Sequence, residues 1–233
     1  TSGDAEDAGK LGIWITCRQH AGETSASYTL EGLVDFVLSD DPVAVALRGR
    51  CIFNIVPMVN PDGVIAGNYR ENIRGVNLNR VWNKPNEEDS PEILAVKKAI
   101  GEWVGAGHRY DFFADLHSDS EALSHYAFRA AEGVEPDKYP RPGEYHADSV
   151  RFLKMVEKHT EDFDIEEGDS DEETPGMSRT NQMTEHGVIA LIFEAGYSKV
   201  LFGGRKGHYL TREKHGRVGE AIGRALAEFF LAG

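Results

Sequence analysis

The chain has 233 residues, of which 40% are hydrophobic and 27% charged, with a formal net charge of −14. This length and apolar content suffice for the core of one α/β domain without disulfides, so we expect residues 1–233 to form a single domain. The acidic balance argues against nonspecific binding to nucleic acid or to an anionic membrane. The apolar runs are too short to span a membrane, and the first residues lack a signal-peptide pattern. We therefore expect a soluble protein that binds neither nucleic acid nor membrane.

Four apolar runs predict strands buried on both faces, at residues 11–17, 50–57, 110–116 and 187–193. Helical spacing predicts four helices, at residues 24–38, 91–104, 145–159 and 211–231. Ser90 is the predicted N-cap of the second helix. Strands that alternate with helices predict an α/β fold with three layers, α/β/α, around a mostly parallel mixed sheet. Ligands of such sheets gather at the carboxyl ends of the strands.

The two cysteines, Cys17 and Cys51, fall within runs predicted to be central strands. A thiol in such a strand usually packs as a small apolar side chain. We expect both cysteines to be reduced, which favours a cytoplasmic protein.

Residues 161–173 form the most acidic segment of the chain, with nine acidic side chains and no basic one. Such a run is typical of a solvated loop, and a patch for divalent ions is the alternative.

A pair of potential metal ligands, His20 and Glu23, directly follows the run at 11–17. An imidazole and a carboxylate at this spacing can turn toward one ion, and zinc accepts both ligand types. Catalytic zinc usually takes three protein ligands. His117, on which the run at 110–116 ends, is the candidate for the third. The pattern predicts a site for one Zn²⁺ ion.

Further motifs follow the HxxE pair in a fixed order along the chain. They are Asn60-Pro61-Asp62-Gly63, Gly67-Asn68-Tyr69-Arg70, Asn77-Leu78-Asn79-Arg80 and, after His117, the late glutamate Glu194. This order resembles that of the zinc metallocarboxypeptidases. The residues within the motifs are more similar to those of the cytosolic-carboxypeptidase-like subfamily than to those of the digestive enzymes. The resemblance implies a carboxypeptidase fold and a zinc-dependent hydrolase that removes the C-terminal residue of a peptide.

The resemblance also implies roles for individual residues. Glu194 is the implied general base, which takes a proton from water and passes it to the leaving amine. Arg70 is implied to stabilise negative charge on the scissile carbonyl oxygen. Asn79 and Arg80 are implied to hold the free carboxylate of the substrate, because a guanidinium matches a carboxylate with two parallel hydrogen bonds. Asn77 is expected to hydrogen-bond a zinc histidine.

Substrate preference is predicted from Arg179, which precedes Glu194 by fifteen residues. Related enzymes place the floor of the pocket for the terminal residue at this position. An arginine there favours an acidic end, because pairing with a carboxylate offsets the cost of burying the charge. We therefore predict a preference for C-terminal glutamate or aspartate. The alternative is an exposed loop arginine that balances the acidic run.

Two elements of the family pattern are absent from the sequence. The family usually has a mobile tyrosine about twenty residues before the base, yet residues 160–196 contain no tyrosine, and Tyr197 and Tyr209 follow Glu194. Only nineteen residues precede His20, where the family usually has a helix and early strands. We expect either a shortened fold or a fragment of a longer protein with an upstream domain.

Two other functions remain open from the sequence. A related zinc deacylase would cleave an acyl group from an amino acid with the same ligands. A pseudoenzyme would bind a peptide without turnover.

Overall fold

The computed structural model describes residues 1–4, 7–122, 124–168, 174–197 and 210–231. Its strands are β1 (Leu11–Cys17), β2 (Cys51–Val56), β3 (Phe112–Asp119), β4 (Tyr126–Phe128) and β5 (Ile189–Gly196). They form one sheet in the order β2-β1-β3-β5-β4. The first four strands in this order are parallel to their neighbours, and β4 is antiparallel to β5. The predicted mostly parallel mixed sheet is therefore confirmed.

Helices cover both faces of the sheet. They are α1 (Ser25–Leu38), α2 (Pro42–Arg50), α3 (Pro61–Ala66), α4 (Pro91–Gly105), α5 (Tyr145–His159), α6 (Ser178–His186) and α7 (Arg212–Leu231). Helices α1, α2, α5 and α7 pack together on one face, and α6 packs against β3 and β5 on the other. The arrangement is the predicted three-layer α/β/α fold.

The alternation of β3 separates the apolar core from the polar face of the sheet. Phe112 packs against Phe152 of α5 and Phe230 of α7, with ring centroids 4.8 and 6.4 Å apart. Asp115 and His117 lie on the opposite face, where their side chains are hydrogen-bonded to each other. The same strand therefore stabilises the core and carries polar groups toward a site.

Helices α1 and α7 approach each other closely because glycine occupies their crossing. A Cβ atom added at Gly219 would lie 2.0 Å from the carbonyl oxygen of Thr29, and one at Gly32 would lie 2.1 Å from that of Gly216. No side chain larger than hydrogen fits at these contacts without a shift of the backbone. The crossing fixes α1, the helix that directly follows the loop with His20 and Glu23.

Several predicted boundaries are corrected by the structure. Strands β3 and β5 continue through His117 and Glu194 to Asp119 and Gly196, so the polar residues lie inside these strands and not at their ends. Strand β2 is at the edge of the sheet and only partly buried, and not buried on both faces as predicted. Ser90 is the N-cap residue of α4 as predicted, but its hydroxyl accepts a hydrogen bond from the backbone N–H of Asn86 and makes no capping hydrogen bond.

Both cysteine thiols are free and buried. Cys17 lies in the interior strand β1, whereas Cys51 begins the edge strand β2 and is not central as predicted. Burial raises the pKa of each thiol to about 12. Among the described helices, none has the length and apolar character that crossing a bilayer requires.

Candidate active site

The loop that follows β1 is held in a strained and tightly bonded conformation. Arg18 has a φ of 60°, in the left-handed region. Its guanidinium donates to the carbonyl oxygen of Ala21 and to the hydroxyl of Ser27, at 2.5 and 3.1 Å. A Cβ atom at Gly22 would lie 2.9 Å from Tyr69, so the loop also depends on a glycine at this contact. These contacts hold His20 and Glu23 in one orientation.

His20, Glu23 and His117 converge at a buried cluster whose ligand atoms all lie within 4.8 Å of one another. The Nδ1 atoms of the two histidines are 3.1 Å apart. The carboxylate of Glu23 approaches these atoms to 2.6 Å at His20 and 2.8 Å at His117. Two ligands of a tetrahedral zinc ion lie about 3.3 Å apart, so the cluster has the spacing and donor chemistry of a zinc site.

The outer nitrogen of each histidine contacts an oxygen acceptor. Nε2 of His20 lies 2.9 Å from Oδ1 of Asn77, which also accepts from the backbone N–H of Asn79. Nε2 of His117 lies 2.9 Å from Oδ2 of Asp115. Both acceptors lack a proton to donate, so each accepts a hydrogen bond from the Nε2–H group of its histidine. Nδ1 of each imidazole then faces the cluster and is the atom that would bind a metal ion.

Asp115 is the buried residue that organises this side of the site, and the sequence reasoning missed it. Its carboxylate accepts hydrogen bonds from Thr16 at 2.7 Å and Ser178 at 2.6 Å, and also from the side chain of Gln19. The available signal was the spacing Asp-Leu-His, because residues two apart in a strand share a face.

The charges at the cluster favour a cation. Burial alone would lower the pKa of His117, but the carboxylates of Asp115 and Glu23 raise it well above its ordinary value. Burial would likewise raise the pKa of Glu23, yet the two histidines lower it to about 2. The site therefore stabilises positive charge between its carboxylates, as a bound zinc ion provides.

Glu194 lies beside His117, its register partner in the β3–β5 pairing. Burial raises the pKa of Glu194 to about 8, and the charges of Glu23, Asp119 and Asp115 act in the same direction while His117 opposes them. A carboxyl group whose pKa is near neutrality can both accept and release a proton at physiological pH.

The Asn-Arg pair lies in a short 3₁₀ turn, Leu78–Arg80. Oδ1 of Asn79 accepts from the backbone N–H of Ser178 at 2.8 Å, which leaves its Nδ2 group available to donate to a ligand. The guanidinium of Arg80 donates to the carbonyl oxygen of Asn79 at 2.8 Å. The turn therefore presents amide and guanidinium donors side by side.

The Asn-Pro-Asp-Gly motif links helix α3 to the ligand loop. Oδ1 of Asn60 caps α3 by accepting from the backbone N–H of Gly63 at 3.0 Å. Its Nδ2 group donates to the carbonyl oxygen of Gln19 at 3.1 Å. The motif therefore supports the segment that bears His20 and does not itself line the cavity.

One cavity of about 320 Å³ brings together seven of the eight predicted site residues. They are His20, Glu23, Arg70, Asn79, Arg80, His117 and Glu194. Other lining residues include Tyr69, Asp119, Tyr126, Phe128, Met177 and Ile192. Arg179 is fully buried in helix α6 and is not a lining residue of this cavity. The alternative of an exposed loop arginine is therefore wrong, because α6 begins one residue earlier.

Two tyrosines line the cavity although residues 160–196 contain none. Tyr126 of β4 is the register partner of Glu194, and its hydroxyl donates to Oδ2 of Asp119 at 2.9 Å. Tyr69 lies on the rim and is 56% exposed. Tyr197 donates to the carbonyl oxygen of Gly22 at 3.3 Å, and Tyr209 lies outside the described residues. Tyr126 was missed because strand β4 has only three residues.

The acidic run is not wholly a solvated loop as predicted. Asp162 is buried and pairs with Arg217 at 2.7 Å and with Lys214 at 3.4 Å. Glu167 accepts from the backbone N–H of Ser124 at 2.9 Å. Residues 169–173 of the run lie outside the described residues. Its described acidic groups therefore include residues that hold helix α7 and the segment before β4.

Known proteins are similar to this chain in sequence and in fold. A family model described as zinc carboxypeptidase matches residues 1–214. Cytosolic carboxypeptidase 6 of Mus musculus is 28% identical over 231 residues, which cover 97% of this chain and 41% of that protein. The crystal structure of a metallo-carboxypeptidase from Burkholderia cenocepacia is 29% identical with a TM-score of 0.83, covering 99% of this chain and 60% of that one.

A second similar structure was solved with a bound ligand. It is a metallo-carboxypeptidase from Pseudomonas aeruginosa in complex with (2-guanidinoethylmercapto)succinic acid, 26% identical with a TM-score of 0.79. The match covers 95% of this chain and 57% of that one. The present chain thus spans less than two thirds of the length of each of these proteins.

Proposed function

The chain belongs to the zinc carboxypeptidase family, and we propose that it removes the C-terminal residue of peptides with one zinc ion held by His20, Glu23 and His117. The observation that carries this proposal is the common cavity. Seven of the predicted site residues, which come from well-separated segments of the chain, line this cavity. Three of them form the buried cluster of potential metal ligands.

The metal supplies one part of the chemistry and the chain supplies the rest. When bound, zinc supplies Lewis acidity toward the scissile carbonyl and toward a water molecule. Asp115 and Asn77 hold the imidazoles of His117 and His20 through their Nε2 atoms. Outer partners of this kind fix the direction of each ligand and raise its basicity.

Glu194 moves the proton in this proposal. Its carboxylate takes a proton from the attacking water and then gives it to the nitrogen of the leaving amino acid. The position of Glu194 beside the proposed zinc ligand His117 supports both steps, because it places the carboxylate next to the site where water would be activated.

The three donors of the cavity wall orient the substrate. Arg70 stabilises the negative charge that develops on the carbonyl oxygen. Asn79 and Arg80 bind the free carboxylate of the terminal residue, and the adjacent donors of the 3₁₀ turn support this pairing. Recognition of that carboxylate restricts cleavage to the end of a chain.

We further propose a preference for acidic terminal residues, set by Arg179. Its side chain is fully buried in α6, directly after Ser178, whose backbone N–H contacts Asn79. In this proposal the buried guanidinium attracts an acidic side chain of the terminal residue, and the low dielectric of the interior strengthens this attraction.

We also propose that the protein acts in the cytoplasm on peptides or peptide-like substrates with a free carboxylate. The name of the mouse relative, cytosolic carboxypeptidase 6, supports this location, as do the two free, buried cysteines. The net charge of −14 disfavours nucleic acid and anionic membranes as partners.

The test is release of the free terminal amino acid from short peptides, measured by mass spectrometry. The protein is assayed with zinc, with a chelator, and after zinc is restored, and N-acyl amino acids are assayed in parallel. Release from peptides that stops with chelator and returns with zinc is the expected result. Release from N-acyl amino acids alone, or from neither substrate, contradicts the proposal.

A further inference from the structure

Asp119 is a charged residue of the cavity wall that the proposed mechanism does not use. It lies on β3 two positions after His117, and both side chains line the cavity. Its described hydrogen-bond partners are the hydroxyl of Tyr126, at 2.9 Å from Oδ2, and the backbone N–H of Glu121, at 2.8 Å from Oδ1. Both are uncharged donors. A carboxylate has about four acceptor positions, so Asp119 retains acceptors for a ligand.

Asp119 and the carboxylate clamp lie on opposite sides of the metal cluster. Asn79 of the clamp contacts Ser178, and Ser178 contacts Asp115, two positions before His117 on β3. Asp119 is two positions after His117. Four residues of a strand span about 13 Å, with the ligand His117 midway. The polar face of β3 therefore runs from the clamp, past the metal cluster, to Asp119.

This order fixes which part of a substrate meets Asp119. A peptide with its terminal carboxylate at Asn79 and Arg80 has its scissile bond at the cluster. The residues upstream of that bond then extend toward Asp119. The described lining of the cavity on this side also includes Ser118 and Ser120, which are small and uncharged. Outside the cluster and Glu194, Asp119 is thus the acidic side chain among the described lining residues.

We propose that Asp119, oriented by Tyr126, selects substrates with a positively charged group on the first or second residue upstream of the scissile bond. This inference rests on the proposed carboxypeptidase function. The charged group is an ammonium or guanidinium, from a lysine or arginine side chain or from the free amino terminus of a short peptide. An upstream glutamate is repelled by the same carboxylate. The enzyme therefore disfavours chains of consecutive glutamates, even when the last residue is acidic.

The test compares N-acetylated peptides with one fixed terminal residue and lysine, glutamine or glutamate at the first or second upstream position. The expected order of kcat/KM is lysine, then glutamine, then glutamate, with roughly five- to tenfold between lysine and glutamine. Raising the salt concentration reduces this difference, since screening weakens exposed charge pairs. Matched peptides with a free or an acetylated amino terminus separate the terminal ammonium from a side-chain cation.

Three variants connect the preference to Asp119. Asp119→Asn removes the charge with little change of shape and abolishes the preference for lysine. Tyr126→Phe removes the hydroxyl that orients Asp119 and reduces the preference. Glu121→Gln removes a charge two residues away on an exposed side chain that does not line the cavity, and the preference persists.

Binding provides a measurement that is independent of turnover. Titration calorimetry with the Glu194→Gln protein and intact peptides is expected to give the same order of Kd, lysine tightest. Equal cleavage of all peptides, a preference for upstream glutamate, or a lysine preference that survives in Asp119→Asn overturns the inference. Failure to release an amino acid from any peptide is a different outcome, which overturns the proposed function itself.

Discussion

Nε2 of His117 lies 2.9 Å from Oδ2 of Asp115, two positions earlier on the same face of β3. Asp115 is fully buried and accepts hydrogen bonds from three further side chains, so its carboxylate cannot move without breaking a network. This pair orients the imidazole of His117 so that its Nδ1 atom faces the metal cluster. It links a strand of the core to the proposed zinc site.

Replacing Asp115 with asparagine is therefore expected to weaken zinc binding by about 10- to 100-fold. The asparagine keeps the shape but loses the charge that supports the imidazole. The zinc Kd is measured by competition with a chromogenic chelator. Asp137→Asn, an exposed carboxylate, serves as the control and leaves the Kd unchanged. An unchanged Kd in Asp115→Asn contradicts the role of the pair.

A second buried pair, His125 and His215, makes stability depend on pH. Nδ1 of His125 donates to the carbonyl oxygen of Asp162 at 2.9 Å, and its Nε2 lies 2.7 Å from Nδ1 of His215. Burial, with the nearby His215 and Lys214, lowers the pKa of His125 to about 4, although Asp162 opposes this shift. The folded protein therefore resists protonation that the unfolded chain accepts from about pH 6.5 downward.

Above pH 6.5, His125 is neutral in both the folded and the unfolded protein, so it adds no pH dependence to the free energy of unfolding. Between pH 6.5 and 4, the unfolded chain binds a proton at His125 that the folded protein does not, so the free energy of unfolding falls as the pH drops. The expected loss from this residue is about 2 kcal/mol between pH 7 and pH 5. Urea unfolding at pH 7 and pH 5 gives the loss in the free energy of unfolding for wild type and for His125→Gln, and the difference between the two losses is the contribution of His125. Identical losses in both proteins refute the assignment.

Two glycine-to-alanine changes, one at the crossing of α1 and α7 and one in α4, are expected to have opposite effects on stability. Gly219→Ala places a methyl group 2.0 Å from a backbone oxygen of α1, and we expect it to destabilise the fold by about 1–3 kcal/mol. Gly101→Ala lies in α4 with no atom within 4 Å of the added Cβ, and we expect about 0.5–1 kcal/mol of stabilisation. Thermal unfolding compares them, and a neutral Gly219→Ala shows that the helices separate easily.

Arg179 is expected to set the preference for an acidic end through its charge. Arg179→Met fills similar space without charge and lowers the ratio of kcat/KM for terminal glutamate over leucine by roughly tenfold. Arg179→Lys keeps the charge and retains most of the preference. Circular dichroism checks that both variants fold, since the side chain is fully buried. If the ratio of kcat/KM for terminal glutamate over leucine is the same in Arg179→Met and wild type, Arg179 does not set the preference.

The fold class was predictable because its signal is repeated along the chain. The run Leu11–Cys17 is β1 residue for residue, and helices α1, α4, α5 and α7 lie within one residue of their predicted bounds. The prediction ended β3 and β5 too early, because it treated His117 and Glu194 as the ends of apolar runs. In the structure the strands continue, since the backbone pairs regardless of side-chain polarity.

Shorter elements carried too little pattern to be predicted. Helix α6 begins at Ser178, and its polar sequence hides the burial of Arg179. Strand β4 has three residues and places Tyr126 against Glu194 only through its pairing with β5. Helix α2 did carry a signal, Asp41 followed by proline, and Asp41 caps it at 2.8 Å.

The candidate site was predictable as a set of residues but not as a geometry. Motif order identified His20, Glu23, His117 and Glu194, and the cavity contains them all. The residues that hold these side chains in place come from segments far apart in sequence. For example, the hydroxyl of Ser178 donates a hydrogen bond to Asp115, which in turn contacts His117. Their roles in zinc binding and catalysis remain predictions until they are measured.

The central claim is that Glu194 transfers protons for peptide hydrolysis beside zinc held by His20, Glu23 and His117. The most direct measurement compares wild type with Glu194→Gln for release of the terminal amino acid and for bound zinc. We predict one zinc ion per chain in both proteins and a loss of kcat of about 10²- to 10⁴-fold or more in the variant. Undiminished release by Glu194→Gln, with zinc still bound, would contradict the account.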